Sequence, residues 1–365
     1  MKPKDHAKQI TQNHGLTERS YYSYKHTLTH YSELMQMELD DLLLEAEAEE
    51  EQGIRWKHRK LKERLTTYQN WLLKQYKYNT VKSYMTKIKT WYYDHDIEIG
   101  KLPPLNKKQA RIGEPITYED LPTKEIIRKA YDMSSPVFRA VILFAISSGC
   151  AKTEIMNLTI HDFYEWIQPY SIDEVLDKEV DIVPTIRLRR QKTNKHYTTF
   201  CSPEAVREIC IYLKTRDDDD EKLFKVSHRT ITTYCHNINT KLGLDKVNGT
   251  QRFRMHMLRK YHASHLYNAE NGLSLDEIDS LQGRSKNTVR ESYYFNNTED
   301  LKKKYIRNIG QVTILDQVHT ITVDSPEVAR LKEKADKIDE LEKLVKRIME
   351  ENTKKKEIGG MGKNE

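Results

Sequence analysis

QRFRMHMLRKYHASHLYNAENGLSLDEIDSLQGRSKNTVRESYYFN, residues Gln251–Asn296, decides how the rest of the chain is read. His256 and Arg259 stand three apart at the start of a predicted helix, Arg284 follows a Gln-Gly turn, and Tyr293 and Tyr294 come nine and ten residues after that arginine. Phosphoryl transfer to a phenolic oxygen requires groups of these kinds. Arginine forks neutralise the non-bridging oxygens, a histidine or lysine moves the proton, and a tyrosine attacks phosphorus. Fixed cations in that role need no metal and no nucleotide cofactor, and none is expected.

Immediately upstream, SHRTITTYCHNINTKLGL and PEAVREICIYLKTR carry helical spacing, with the polar loop RDDDDEK between them. Four consecutive acids cannot all face one ion, so that loop is read as solvated. TIRLRRQKTNKHYTTFC alternates, turns at Lys192–Lys195 and returns, which predicts a β-hairpin. SPVFRAVILFAISSG is a mostly apolar helix that ends at Gly149, and CAKTEIMNLTIHDF is read as one further helix. Asp120 or Thr123 caps the helix before them. Downstream, GQVTILDQVHTITVD alternates like a short strand pair. Leu331, Ile338, Leu341, Val345 and Ile348 then recur as an apolar seam over 326–352, about the three heptads a coiled coil needs, before a disordered tail at 353–365.

The first third is different in kind. Residues 1–18 read as a flexible arm. From 19 to 105 strong helix formers and apolar residues at three and four spacing predict an all-helical domain. KLPPLNKKQARIGEP, 101–115, carries three prolines and reads as a linker, assigned to 106–115, before a second domain over 113–315. On the third long helix Lys82, Lys87 and Lys89 interleave with tyrosines, as on a surface that grips a phosphate backbone. The bland alternative makes Trp71, Tyr84 and Trp91 core and the lysines a solvated face. The fold class is therefore mainly α with a small β-hairpin or sheet, in two domains.

Composition restricts the function classes. The 365 residues are 32% charged and 37% hydrophobic, with a net charge of +6 and pI near 8.8, which favours a polyanionic partner. There is no run of about 18 apolar residues to span a bilayer, and the N-terminus lacks a secretory apolar segment. Cys150, Cys201, Cys210 and Cys235 form no C-x-x-C pair, which argues against a zinc ribbon or disulfide framework. A cytoplasmic, nucleoid-associated protein is expected.

The order of these elements resembles the tyrosine recombinases, the site-specific DNA integrases. HMLR, His256 to Arg259, followed by KYHASHL, looks like that family's His-x-x-Arg box. LQGRSKNTVRESYY looks like its last box, with Arg284 where histidine or tryptophan is usual, as in archaeal viral and plasmid integrases. Lys192 in RRQKTNKH matches the hairpin lysine. SSGCAKTEIMNLT aligns with the first box but contains no arginine; Lys152 stands where some members carry it, and Glu154 matches the acidic buttress. A lysine keeps the charge and loses the fork, so phosphate grip should fall.

The resemblance implies a helical core-binding domain and a mixed catalytic domain that clamp double-stranded DNA at attachment sites. Four protomers act on that DNA, with an accessory bending or directionality factor and no membrane. It also implies that Lys152, His256, Arg259 and Arg284 hold the scissile phosphate, that Lys192 protonates the leaving oxygen, and that a tyrosine forms a 3′-phosphotyrosine. Counting from the usual histidine gives Tyr293; alignment with the QGR type gives Tyr294, which is preferred. Arg190 and Lys195, with Arg189, are read as phosphate contacts, His262 as supporting the site from behind, and His265, Tyr261 and Tyr267 as packing residues. Because the first arginine is missing, a catalytically impaired DNA-binding relative, a regulator or architectural protein, stands as the alternative. A topoisomerase acting on any supercoiled DNA is a third reading.

Overall fold

In the computed structural model the chain divides into two units, Met1–Pro115 and Ile116–Glu365. Residues 1–113, 115–178, 180–190, 194–284 and 297–315 are described. Lys192, Tyr293, Tyr294, the heptad segment 326–352 and the tail all lie outside the described residues.

The first unit corrects the reading of residues 1–18 as an arm. Helix α1 spans Pro3–Asn13, with proline in its first turn and Asp5 near its positive end. It buries Ala7 and Ile10 and, less expectedly, His6. Polar composition conceals this face because the His6 ring is satisfied inside: Trp91 Nε1 donates to its Nδ1 at 3.3 Å, and its Nε2 meets Asp40 at 3.0 Å. Helices α2 (Glu18–Met35), α3 (Leu39–Glu51), α4 (Lys60–Gln75) and α5 (Tyr78–Tyr93) follow. Tyr31, Tyr68, Trp91 and Tyr92 are fully buried at their centre, with the Tyr31 and Tyr92 hydroxyls 3.2 Å apart. Glu49 caps α4 by accepting the Lys60 and Leu61 N–H groups. Trp91 is thus core, whereas Trp71 and Tyr84 are half-buried.

The three lysines of α5 do not share a face. Lys82 and Lys89 are two turns apart on one flank, and Lys87 lies about 140° round from Lys82, donating to Ser83 Oγ at 2.7 Å beside the Tyr84 ring. The stretch read as linker is partly tied down: Gln69 Nε2 donates to Pro103 O, Arg111 N to Tyr76 O, and Leu102 and Ala110 are buried.

The second unit is mainly helical with two small antiparallel hairpins. Thr123 caps α6 (Lys124–Asp132), accepting from Ile126 N. Helix α7, Pro136–Ser148, is buried from Ala140 to Ser148 and stops at Gly149 in the left-handed region, φ +63°. The next segment, expected as one helix, is two: α8 (Lys152–Asn157) and α9 (Ile160–Ile167). Leu158 O and Ile160 N pair instead with Leu223 N and Glu221 O, each at 2.8 Å, and Thr159 restarts the helix through a capping box with Asp162. After α10 (Ile172–Asp177), strands β1 (Thr185–Arg190) and β2 (Lys195–Phe200) pair from Thr185 opposite Phe200 to Arg190 opposite Lys195.

Helices α11 (Pro203–Lys214) and α12 (His228–Lys241) come next. In the acid-rich loop between them Arg216 donates to the Lys222 and Asp220 carbonyls and pairs with Asp218. Among the described residues no three His, Cys, Asp or Glu side chains gather as a metal site. Asn248 and Gly249, both at positive φ, turn β3 (Lys246–Val247) into β4 (Thr250–Gln251), the Asn-Gly hairpin geometry. Helices α13 (Met255–Asn268) and α14 (Leu275–Leu281) follow, and the last helix among the described residues is Thr298–Arg307. Of the strand pair expected over 310–324, residues 316 onward lie outside the described residues; its start is a 3₁₀ turn, Ile309–Val312. Ile309 and Val312 are three apart and both buried, a spacing that suits a helical turn and not a strand. Tyr267, expected in the core, is 49% exposed, whereas Tyr261 is buried. No described helix is long and apolar enough to cross a membrane.

Candidate functional site

Two helix C-termini meet at one arginine. The last carbonyls of a helix have no intrahelical partner and carry the negative end of its dipole. At the end of α7 the carbonyls of Ser147, Ser148 and Gly149 accept from the Tyr305 hydroxyl at 2.8 Å, the Thr199 hydroxyl at 2.7 Å and Arg259 Nη1 at 2.5 Å. Helix α14 ends in a Schellman motif: Gly283 N bonds Ser280 O, and Arg284 N bonds Asp279 O at 2.8 Å. That turn needs Gly283 at φ +58°, where an added Cβ would also come within 2.6 Å of the Tyr197 ring. It frees two carbonyls. Gln282 O accepts from Arg259 Nη2 at 2.5 Å and from Arg190 Nη1 at 3.1 Å, and Gly283 O accepts from Arg190 Nη1 at 2.7 Å. The Gln282 carbonyl is therefore shared by two guanidinium groups from distant parts of the sequence.

Arg259 is buried, and its counter-charge is Glu154. One oxygen of that carboxylate accepts Ala151 N–H at 2.7 Å and Tyr197 O–H at 2.8 Å, and lies 3.9 Å from Arg259 Nη1. Burial draws the Arg259 pKa down while Glu154 holds it up. Two of the five guanidinium N–H groups are spent on carbonyls, so donors remain for a guest.

Around this centre stand further basic groups. His256, three residues before Arg259 on α13, is exposed. Its pKa is lowered first by desolvation, then by Arg254, Lys260, Arg259 and Arg284, which favours the neutral ring, the form able to accept a proton. Lys260 is likewise lowered, by desolvation and by Arg254 and Arg284. Arg284 keeps an exposed side chain, 3.3 Å from Asp279. Such a cluster suits an anion with several oxygens, gripped by forks. The four cysteines are buried, and burial pushes Cys150 and Cys235 up to about 11 and Cys201 and Cys210 up to about 12, which favours the protonated thiols.

Of the residues singled out from sequence, His256, Arg259, Arg284 and Glu154 come together, and Arg190 joins them by turning inward. Lys195 lies opposite Arg190 in the ladder. Lys152 opens α8, half-buried, where its charge pulls against the raised Cys235 thiol. Lys82, Lys87 and Lys89 belong to the first unit, and Lys192, Tyr293 and Tyr294 lie outside the described residues. Sequence reasoning overlooked Tyr197, Lys260, Arg254 and the Gln282 side chain. Tyr197 had a signal: it is two residues beyond Lys195, so a period of two puts it on the inward side of β2.

No protein-family model and no curated protein matches the sequence. Among solved structures the chain is similar to XerA recombinase at 17% identity, over 83% of this chain and 96% of that one, with a TM-score of 0.34. It is similar to XerH site-specific recombinase bound to difH substrate at 17% identity, over 66% and 68%, TM-score 0.40. It is similar to the Tn1549 transposon integrase in complex with circular intermediate DNA at 14% identity, over 85% and 100%, TM-score 0.45.

Proposed function

We propose that this chain is a tyrosine-type site-specific DNA recombinase that cuts and rejoins double-stranded DNA through a 3′-phosphotyrosine. The observation that carries this reading is the shared Gln282 carbonyl, which gathers Arg259 and Arg190 with His256 and Arg284 beside them. A tyrosine pair follows in the sequence at nine and ten residues from Arg284. Arg259 and Arg284 hold the non-bridging oxygens of the scissile phosphate, and Lys152 contributes a third positive charge without a fork. Neutral His256 accepts the phenolic proton of Tyr294, or of Tyr293, as its oxygen attacks phosphorus. The bond from phosphorus to the 5′-oxygen breaks, and Lys192 delivers a proton to that oxygen. Attack by a 5′-hydroxyl reverses the steps and reseals the strand. No metal or cofactor enters.

The fuller reading is an integrase that inserts or excises a mobile element as a tetramer on paired attachment sites, in the cytoplasm. The arginine after Gln282–Gly283 supports the archaeal viral and plasmid type. Lys82, Lys87, Lys89 and Lys195 serve as phosphate contacts. The lysine in place of an arginine fork favours one competitor, a relative that binds DNA without cutting it.

A duplex nicked near the attachment site traps the covalent adduct, since the short cleaved strand diffuses away. The adduct is expected with the native chain and lost in Tyr294→Phe, or in Tyr293→Phe if that residue attacks. DNA binding with no adduct would leave the non-cutting reading standing.

A further inference from the structure

Gln282 bonds to Arg259 twice, in opposite directions. Its backbone carbonyl accepts from the Arg259 guanidinium, and its side-chain Nε2 donates to the Arg259 carbonyl at 3.0 Å. The same Nε2 donates to Nδ1 of His262 at 3.0 Å. His262 is one turn further along α13 and fully buried, as is Gln282. Its ring lies so close to Gly149 that an added Cβ would sit 2.5 Å from Nδ1, and Gly149 supplies the other carbonyl that Arg259 uses.

We propose that Gln282 and His262 are positioning residues, a buried polar latch that holds the two carbonyl groups against which the Arg259 fork is aimed. This rests on the recombinase reading for its catalytic consequence and on the contacts alone for its existence. The latch admits one arrangement of protons. The Arg259 carbonyl can only accept, so the amide must present its NH₂ to it; a flipped amide would set oxygen against oxygen. His262 Nδ1 then receives an N–H and must be an acceptor, which makes the imidazole neutral with its proton on Nε2. Burial, ahead of the charges of Arg259 and Arg284, agrees by lowering His262 to about 3.

Three variants separate positioning from mere packing: His262→Phe, which keeps a ring against Gly149; Gln282→Leu; and both together. With a nicked duplex at saturating concentration, each single change is expected to slow adduct formation about tenfold or more, the scale of one hydrogen bond aiming a reacting group. Affinity for the uncut duplex should stay within about twofold, since its many phosphate contacts are untouched. The double variant should be no faster than the slower single one, because the Arg259 carbonyl has lost its latch in both; recovery of the native rate there would mean that the single variants suffered only from an unpaired buried group and would overturn the latch. Nitrogen-edited NMR of the full chain gives a second arm that needs no DNA: His262 should remain the neutral Nε2–H tautomer down to about pH 4, and the Arg259 Nε–H resonance should move in both single variants. Single variants that cut at the native rate, an unmoved Arg259 resonance, or a His262 that titrates near its ordinary 6.5 would each overturn the latch. If the native chain forms no adduct, the recombinase reading fails and the NMR arm alone decides the latch.

Discussion

The two units treat buried polar groups in opposite ways. In Met1–Pro115 no buried side-chain nitrogen or oxygen among the described residues lacks a partner; the His6 ring has both nitrogens engaged, and the Glu49 carboxylate takes two N–H groups. In the second unit several have none, among them His262 Nε2 and Gln282 Oε1 on the two bonded side chains of the latch. Each such group costs about 1–3 kcal/mol. A helical unit built on interlocked rings can satisfy everything it buries. A site that fixes several cations beside one carbonyl accepts local disadvantages, as functional sites often do.

That contrast can be attacked directly, starting where the effect is largest. Arg259→Ala should reduce adduct formation by about 10²-fold or more. It should also lower the stability of the second unit by about 3–5 kcal/mol, because Glu154 is left buried without its counter-charge; denaturant unfolding followed through Trp166 reads this. The matching blow to the first unit is Trp91→Ala, which removes its central ring at a cost of about 3–5 kcal/mol and should leave the Trp166 transition where it was. Gly283→Ala comes next, at about 2–4 kcal/mol, since it meets both a left-handed backbone and the Tyr197 ring.

A smaller, graded effect comes from pH. His262 binds its proton only near pH 3 when folded and near 6.5 when unfolded. Below pH 6.5 the unfolded chain therefore takes up a proton that the folded chain refuses. The stability is complete above that value and falls on acidification by up to about 1.4 kcal/mol per pH unit. The native chain should thus lose stability faster than His262→Phe between about pH 6 and 4. Least of all, Tyr92→Phe should cost about 1 kcal/mol by removing the hydroxyl contact with Tyr31, and a double-mutant cycle with Tyr31→Phe isolates that term.

What the sequence discloses follows from how local each feature is. The apolar run from Pro136 and its Gly149 stop, the Thr123 cap and the alternating hairpin are each written within about seventeen residues, and all are found. His256, Arg259 and Arg284 could be placed together because their order and spacing form a pattern. The Asn248–Gly249 turn is equally local and goes unread between two helical stretches. The break at Leu158 was not local, since the Leu158 and Ile160 backbone groups find partners at Leu223 and Glu221, some sixty residues away. Arg190, read from sequence as a phosphate contact, could not be joined to the Arg259 centre for the same reason: only the α14 turn brings two free carbonyls to it. In α1, composition misled because a histidine stands in for an apolar residue once Trp91 and Asp40 receive it.

The closeness of Gly149 to the His262 ring has a bearing on ancestry. Two residues that share so little room cannot drift independently, although more than a hundred positions separate them. Among sequences descended from a common parent, a side chain at 149 should appear only where 262 has become small, and a polar ring at 262 only where 149 remains glycine. Kinship too faint for overall identity to register would then be traceable through that joint substitution.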